Sequence, residues 1–280
     1  CVLDPSCAAP ALSIIREELG RVGLAVNVAK SSCWSPAAAA PDDPTLASMW
    51  AAGGGVVVVG APFADRTAPD LDDTAPVGTP AFVDEFCAKY LGELDTVLAE
   101  ICALPDRCSS DRQGAQAANL LLRHCTSSRV SHLLRLLPPA QSRPLAEAVD
   151  SKVADAFCSL NSLPRLDGWR ELALRLPLRF GGLGIRALSH VTEAAYLGAL
   201  LQVGPHVSAV TGANYADASD PCAQHALTAA ASLHDRFGIE VWSELQVSRA
   251  DLCRRPVRRA QKALPETALD FVRARRRAGL

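Results

Sequence analysis

TPAFVDEFCAKYLGELDTVLAEICAL, residues 79–104, reads as one long amphipathic helix. Phe82, Phe86, Tyr90, Leu94, Val97, Ile101 and Leu104 recur at three- and four-residue spacing, which puts them on one stripe for about six turns. Thr79 stands where a cap belongs, and Pro80 in the first turn, where a missing N–H costs nothing. The same period continues downstream. Residues 110–125 and 128–137 read as two helices, the second closed by Pro138-Pro139. Residues 142–162 read as another, with Leu145, Val149, Val153, Phe157 and Leu160 inward, and residues 188–203, 221–236 and 249–277 complete a helical body. No internal repeat of fixed period runs through it.

Upstream of residue 79 the character differs. Residues 64–78 are acidic and proline-rich and read as an exposed linker. Residues 8–22 predict a helix with Leu12, Ile15, Leu19 and Val22 on one face, stopped by Gly23. Leu24–Asn27 is a strand candidate, Ser32–Ser35 its antiparallel return, and residues 36–48 a loop. Three glycines, Gly53 to Gly55, open a strand at Val56–Val59, and Gly60-Ala61-Pro62-Phe63 reads as a turn. The expected architecture is therefore mainly α with a small α/β N-terminal part: hairpins at 1–63, a linker at 64–78 and a helical bundle at 79–280.

Composition narrows the function classes. Hydrophobic residues make up 49% of the 280, which excludes a disordered chain. The net charge of −2 conceals alternating segments: −9 over residues 1–107, +5 over 108–186, −5 over 187–248 and +7 over 249–280. A basic middle and a basic tail suit an oriented contact with a polyanion, or solvated helix faces. The ten cysteines form no Cys-x2-Cys pair, so neither a zinc site nor a disulfide framework is expected, and reduced thiols in an intracellular protein are. No apolar run reaches 18 residues, so no membrane partner is expected. No signal segment follows the opening Cys1, and a chain opening on Cys reads as part of a longer polypeptide.

Familiar catalytic arrangements do not stand out. The triple glycine precedes its strand, whereas a phosphate-binding loop follows one and opens a helix. There is neither a Gly-x-Ser-x-Gly elbow nor a His-Glu-x-x-His. Asp70, Asp72 and Asp73 lack calcium-loop spacing. His132 and His190 are expected in helices as ordinary, partly buried side chains.

Several stretches, taken in order, nevertheless resemble one family. Gly23-Leu24-Ala25-Val26-Asn27-Val28-Ala29-Lys30 follows a helix and precedes Val58-Val59-Gly60-Ala61-Pro62. Leu120-Leu121-Leu122-Arg123-His124-Cys125, then His132-Leu133-Leu134-Arg135-Leu136-Leu137-Pro138-Pro139, then Leu176-Pro177-Leu178-Arg179-Phe180-Gly181-Gly182-Leu183-Gly184-Ile185-Arg186 come after. Their order and spacing resemble the region after the catalytic aspartates in reverse transcriptases of non-LTR retrotransposons. The resemblance covers about residues 8–205, and implies a palm edge over 1–63 and a thumb-like helical region over 79–280. It departs from the family at Ala61 and at a Val where Leu is common.

The resemblance implies roles. Asn27 and Lys30 would lie near the incoming triphosphate, with the Lys30 ammonium stabilising or protonating the leaving pyrophosphate. Otherwise they are polar residues at a strand end. Gly60 would bring backbone close to the primer end. Arg175, Arg179 and Arg186 flank a glycine turn whose Gly181 and Gly182 N–H groups can donate to phosphate; the turn also reads as a tight helix connection. In the tail, Arg255, Arg258, Arg259 and Lys262 share one helical face suited to a phosphate backbone or to a solvated helix end.

The family's Tyr-x-Asp-Asp hairpin is not in this sequence. Asp42-Asp43 and Asp72-Asp73 sit among prolines, and Asp4 stands alone. The fragment is thus expected to bind no metal and to lack polymerase activity by itself. The Mg²⁺ ions that drive in-line nucleotide transfer belong to the parent polymerase. The implied partners are an RNA/DNA template–primer and the upstream fingers and palm. The expected function is a fragment of an RNA-directed DNA polymerase. The alternative is a non-enzymatic helical scaffold derived from such an element.

Overall fold

The structure, a computed structural model, describes residues 7–35, 41–51, 54–58, 60–64, 81–108, 110–166, 168–211, 221–239 and 241. It is mostly helical, with one two-stranded antiparallel sheet near the N-terminus. Most of the linker, its Asp70, Asp72 and Asp73, and the tail with Arg255, Arg258, Arg259 and Lys262 lie outside the described residues. The chain divides into two compact units, Cys1–Lys89 and Tyr90–Leu280.

In the first unit, α1 spans Ala8–Arg21. Gly23 ends it at φ +75°, and the Leu24 N–H returns to the Leu19 carbonyl at 2.9 Å. A left-handed residue and a six-residue return bond close the helix as its glycine predicts. The apolar face is not covered, however. Ile15 and Val22 are exposed, and α1 buries no residue.

The strand expected at Leu24–Asn27 does not form. Asn27 instead caps a 3₁₀ turn at Val28–Lys30, its Oδ1 accepting from the Lys30 N–H at 3.2 Å. A short polar side chain offers the backbone a local partner that competes with a sheet ladder. Ser32–Ser35 is likewise not an antiparallel return; Cys33 makes a single parallel bridge to Trp50. The expected loop holds a short helix, α2 (Pro44–Ser48), because the Asp43 carboxylate accepts from the Thr45 and Leu46 N–H groups at 2.9 Å each.

The hairpin lies where the valines put it, but Ala61 and Pro62 belong to a strand and not to a turn. Strand β1 (Gly55–Val58) pairs antiparallel with β2 (Ala61–Ala64), Val58 opposite Ala61. Gly60 takes φ +77° between them. Gly55 has a packing reason: a Cβ there would lie 2.2 Å from the Phe63 carbonyl oxygen and 2.5 Å from the Phe82 ring. Burial with nearby Asp84 pushes the Cys87 thiol up to about 11, so it sits as a small hydrophobe and not as a nucleophile.

Helix α3 (Ala81–Cys102) carries the predicted stripe, and its Leu94, Leu98 and Ile101 are buried in the second unit. Then come α4 (Leu104–Arg107) and α5 (Asp111–Leu121). Gly114 lets those two meet, since a Cβ would lie 2.6 Å from the Pro105 Cα. Residues 110–125 were expected to close one helix, but α5 runs through a π-helical segment, Leu122–Thr126, straight into α6 (Ser127–Val130). Buried Thr126 donates its hydroxyl to the Leu122 carbonyl at 2.5 Å, drawing on an acceptor of the helical ladder. After Ser131-His132, α7 (Leu133–Leu136) precedes the two prolines.

Helix α8 (Pro139–Leu160) is the second unit's spine, with Leu145, Val149, Val153 and Phe157 buried as their spacing predicts. Helix α9 (Gly168–Arg175) follows. Helix α10 (Thr192–Thr211) packs on α7, α8 and α11 (Pro221–Phe237). The small residues Ala226, Ala229 and Ala230 let α11 approach Leu197 closely. Glu193 is completely buried among them, paired with Arg143 and 3.5 Å from Arg236, and it accepts from the Ser232 hydroxyl at 3.2 Å. Leu197 itself has no exposure. Leu197→Ala should lower the unfolding free energy by about 2–5 kcal/mol in urea titration; a loss under about 1 kcal/mol would mean this face is not core.

Candidate nucleic-acid interface

The second unit carries a cleft of about 1320 Å³, larger than the usual small-molecule pocket of about 300–1,000 Å³. One wall comes from the π segment, α6, α7 and the turn between those two helices, which supply Arg123, Ser127, Ser128, Ser131 and Arg135. Helix α8 supplies Glu147, Asp150 and Asp155. The opposite wall, α9 and the segments flanking it, brings Arg165, Arg175, Arg179 and Arg186. Six arginines therefore line one cavity against four carboxylates, the fourth being Glu171. Among the described residues, no carboxylate pairs with Arg123, Arg135, Arg165, Arg179 or Arg186.

Asp150 does a different job from its acidic neighbours. It is 8% exposed and accepts from the Leu188 N–H at 2.8 Å, the Ser189 N–H at 2.9 Å and the Ser189 hydroxyl at 2.7 Å. Arg175 donates Nη2–H to the Asp150 carbonyl at 2.8 Å and sets Nη1 3.8 Å from its carboxylate. Its Nη1 is buried without a hydrogen-bond partner. This cluster ties α8, α9 and the turn before α10 together, and so fixes both ends of the loop that carries Arg179 and Arg186. His190 sits in that turn, not in a helix; burial pushes its imidazole below the ordinary value, with Asp150 acting the other way. It faces the cleft as a neutral ring at pH 7.

The glycine loop is a tight connection first. Gly181 and Gly184 take φ +75°. Gly182 packs so closely that a Cβ would lie 2.1 Å from the Leu176 carbonyl oxygen. The loop's N–H groups are already engaged: Gly181 to Leu178 at 2.9 Å, Gly182 to Pro177 at 3.3 Å, Leu183 to Ala173 at 3.0 Å and Gly184 to Leu176 at 2.7 Å. The Gly181 and Gly182 N–H groups are therefore not poised for phosphate, contrary to the sequence expectation, and neither residue lines the cleft. Arg175 lines the cleft only as a buried tie, and not as the phosphate contact expected of it. Arg179 and Arg186 stay exposed, Arg179 with its guanidinium 5.1 Å over the Phe180 ring.

Asn27, Lys30 and Gly60 lie in the first unit. Asn27 and Lys30 are exposed; Asn27 serves as the 3₁₀ cap, Lys30 ends that turn, and Gly60 sits in the hairpin turn. The cleft adds residues that sequence reasoning did not single out as contacts: Arg123, Arg135 and Arg165. A Cβ on Gly184 would lie 2.9 Å from the Arg123 Nε, so residues 61 positions apart are packed together. The available signal was the placement of Arg123 and Arg135 inside the two leucine-rich stretches already noted.

Cys33, Cys87, Cys102, Cys108, Cys125 and Cys158 form no disulfide. Among the described residues, no helix is long and apolar enough to cross a membrane. No family model matches the chain, and no curated protein or solved structure matches it.

Proposed function

We propose that this chain is the part of a retroelement RNA-directed DNA polymerase that follows the catalytic aspartates, and that it holds an RNA/DNA template–primer without carrying the catalytic carboxylates. One observation supports this above the others. Three separate stretches of the chain, residues 120–125, 132–139 and 176–186, each contribute at least one arginine to a single cleft. Guanidinium groups along an open cleft suit a phosphate backbone and imply no base sequence. The upstream fingers and palm would supply the carboxylates that hold Mg²⁺, and no residue of this chain is assigned to the metal. Lys30 keeps its proposed place near the leaving pyrophosphate only in that assembled polymerase. The engaged glycine N–H groups favour a second reading, a non-enzymatic helical scaffold, in which the loop is purely structural.

Fluorescence anisotropy with a labelled RNA–DNA duplex separates the two. The polymerase reading expects log affinity to fall against log salt by about 0.9 per phosphate contacted. Arg179→Ala combined with Arg186→Ala should flatten that slope by about 2. No binding even at low salt would sink it and leave the scaffold.

A further inference from the structure

We propose that the small hollow beside the cleft, flanked by Leu120 and Leu183, takes one unpaired nucleobase of the strand whose phosphates the cleft arginines hold. The inference rests on the nucleic-acid reading of the cleft and adds a base site to it. The hollow measures about 320 Å³, at the small end for a ligand pocket. Buried Phe157 and Ile185 line it, together with Leu120 and Leu183, which are 49% and 46% exposed. A single exposed leucine is ordinary. Two of them on one hollow with an aromatic residue give a flat apolar ring something to cover.

The polar groups define the chemistry of the occupant. Asn119 and Asn161 exchange side-chain hydrogen bonds at 3.3 and 3.2 Å. Asn119 Nδ2 also donates to the Ala115 carbonyl at 2.9 Å, and Asn161 Nδ2 to the Phe157 carbonyl at 2.8 Å. All four amide hydrogens are committed, while each Oδ1 keeps one lone pair. The spare capacity is that of an acceptor, which favours a base with an exocyclic amine over uracil. Arg123 lines both the hollow and the cleft. A guanidinium can bind a phosphate or lie flat on a base, so one residue joins the two parts of a nucleotide site.

The test compares RNA–DNA duplexes that differ only in one overhanging nucleotide, adenosine or an abasic sugar, with equal phosphate count. The adenosine overhang should bind the 280-residue chain about 10-fold tighter by anisotropy. Leu120→Ala with Leu183→Ala should erase that difference and leave the abasic affinity unchanged; both side chains are exposed, so the fold is retained. In a second arm, adenosine should move the ¹⁵N-detected side-chain amide signals of Asn119 and Asn161 saturably, and uridine should move them less. Equal affinity for the two overhangs, with duplex binding intact, overturns the base site and leaves the cleft reading standing. Amide shifts with adenosine but no duplex binding keep the base site and remove the cleft reading. Failure of both arms overturns both.

Discussion

Asp150→Ala should cost the second unit about 3–5 kcal/mol of unfolding free energy. The carboxylate accepts three hydrogen bonds within 2.9 Å, two of them from backbone N–H groups just before α10. Alanine leaves those donors buried or half-buried without a partner. It also leaves the Arg175 guanidinium, 8% exposed, without its carboxylate. Removing one member of a buried charged pair is far more damaging than the pair is stabilising, because the remaining charge stays desolvated. Asp150→Asn should recover part of the loss, since an amide oxygen still accepts. Urea unfolding followed by circular dichroism measures both. A change under about 1 kcal/mol for the alanine variant would mean that the turn at residues 188–191 holds without its anchor.

The second large effect is steric. Gly182→Ala forces a Cβ to within 2.1 Å of the Leu176 carbonyl oxygen and 2.3 Å of the Leu176 Cβ. Both lie on or next to the backbone, so neither can rotate away as a long side chain would. Displacing the loop should cost about 3 kcal/mol and pull Arg179 and Arg186 from the cleft wall. Gly181→Ala is the control within the same loop. Nothing lies near its Cβ, and its φ of +75° adds only a left-handed penalty of about 1–2 kcal/mol. A thermal melt in which Gly181→Ala proves the worse of the two would show that conformation, not close packing, decides the glycines here.

These two residues mark where the sequence was legible and where it was not. Periodic apolar spacing placed α3 and α8, because burial of one stripe is a local property of the pattern. Gly23 ended α1, and the valines of residues 56–58 made a strand, for equally local reasons. Leu24–Asn27 misled because the Asn27 side chain bonds a neighbouring N–H, and alternation says nothing of that competition. Asp150 was invisible as an anchor: its partners, Leu188 and Ser189, are nearly forty residues away. Arg179 and Arg186 were legible because they border glycines. Arg123, Arg135 and Arg165 become a group only once three segments are folded against each other.

The π segment at Leu122–Thr126 frees the direction of the helices around it from the residue count between them. Such a segment accommodates one residue more than the α-helix around it. Deleting one residue between Leu122 and Thr126 would return the stretch to ordinary pitch and leave the helical content on either side as it was. Helices α5 and α6 would keep their relative orientation, because the wide turn holds its extra residue at nearly the winding of one fewer α-helical residue. The same deletion within α5 has no such slack: it would turn the part before it by about 100°, since each α-helical residue advances the winding by that angle. In this part of the protein a residue gained or lost is absorbed by widening one turn, and the side chains on either side keep their neighbours.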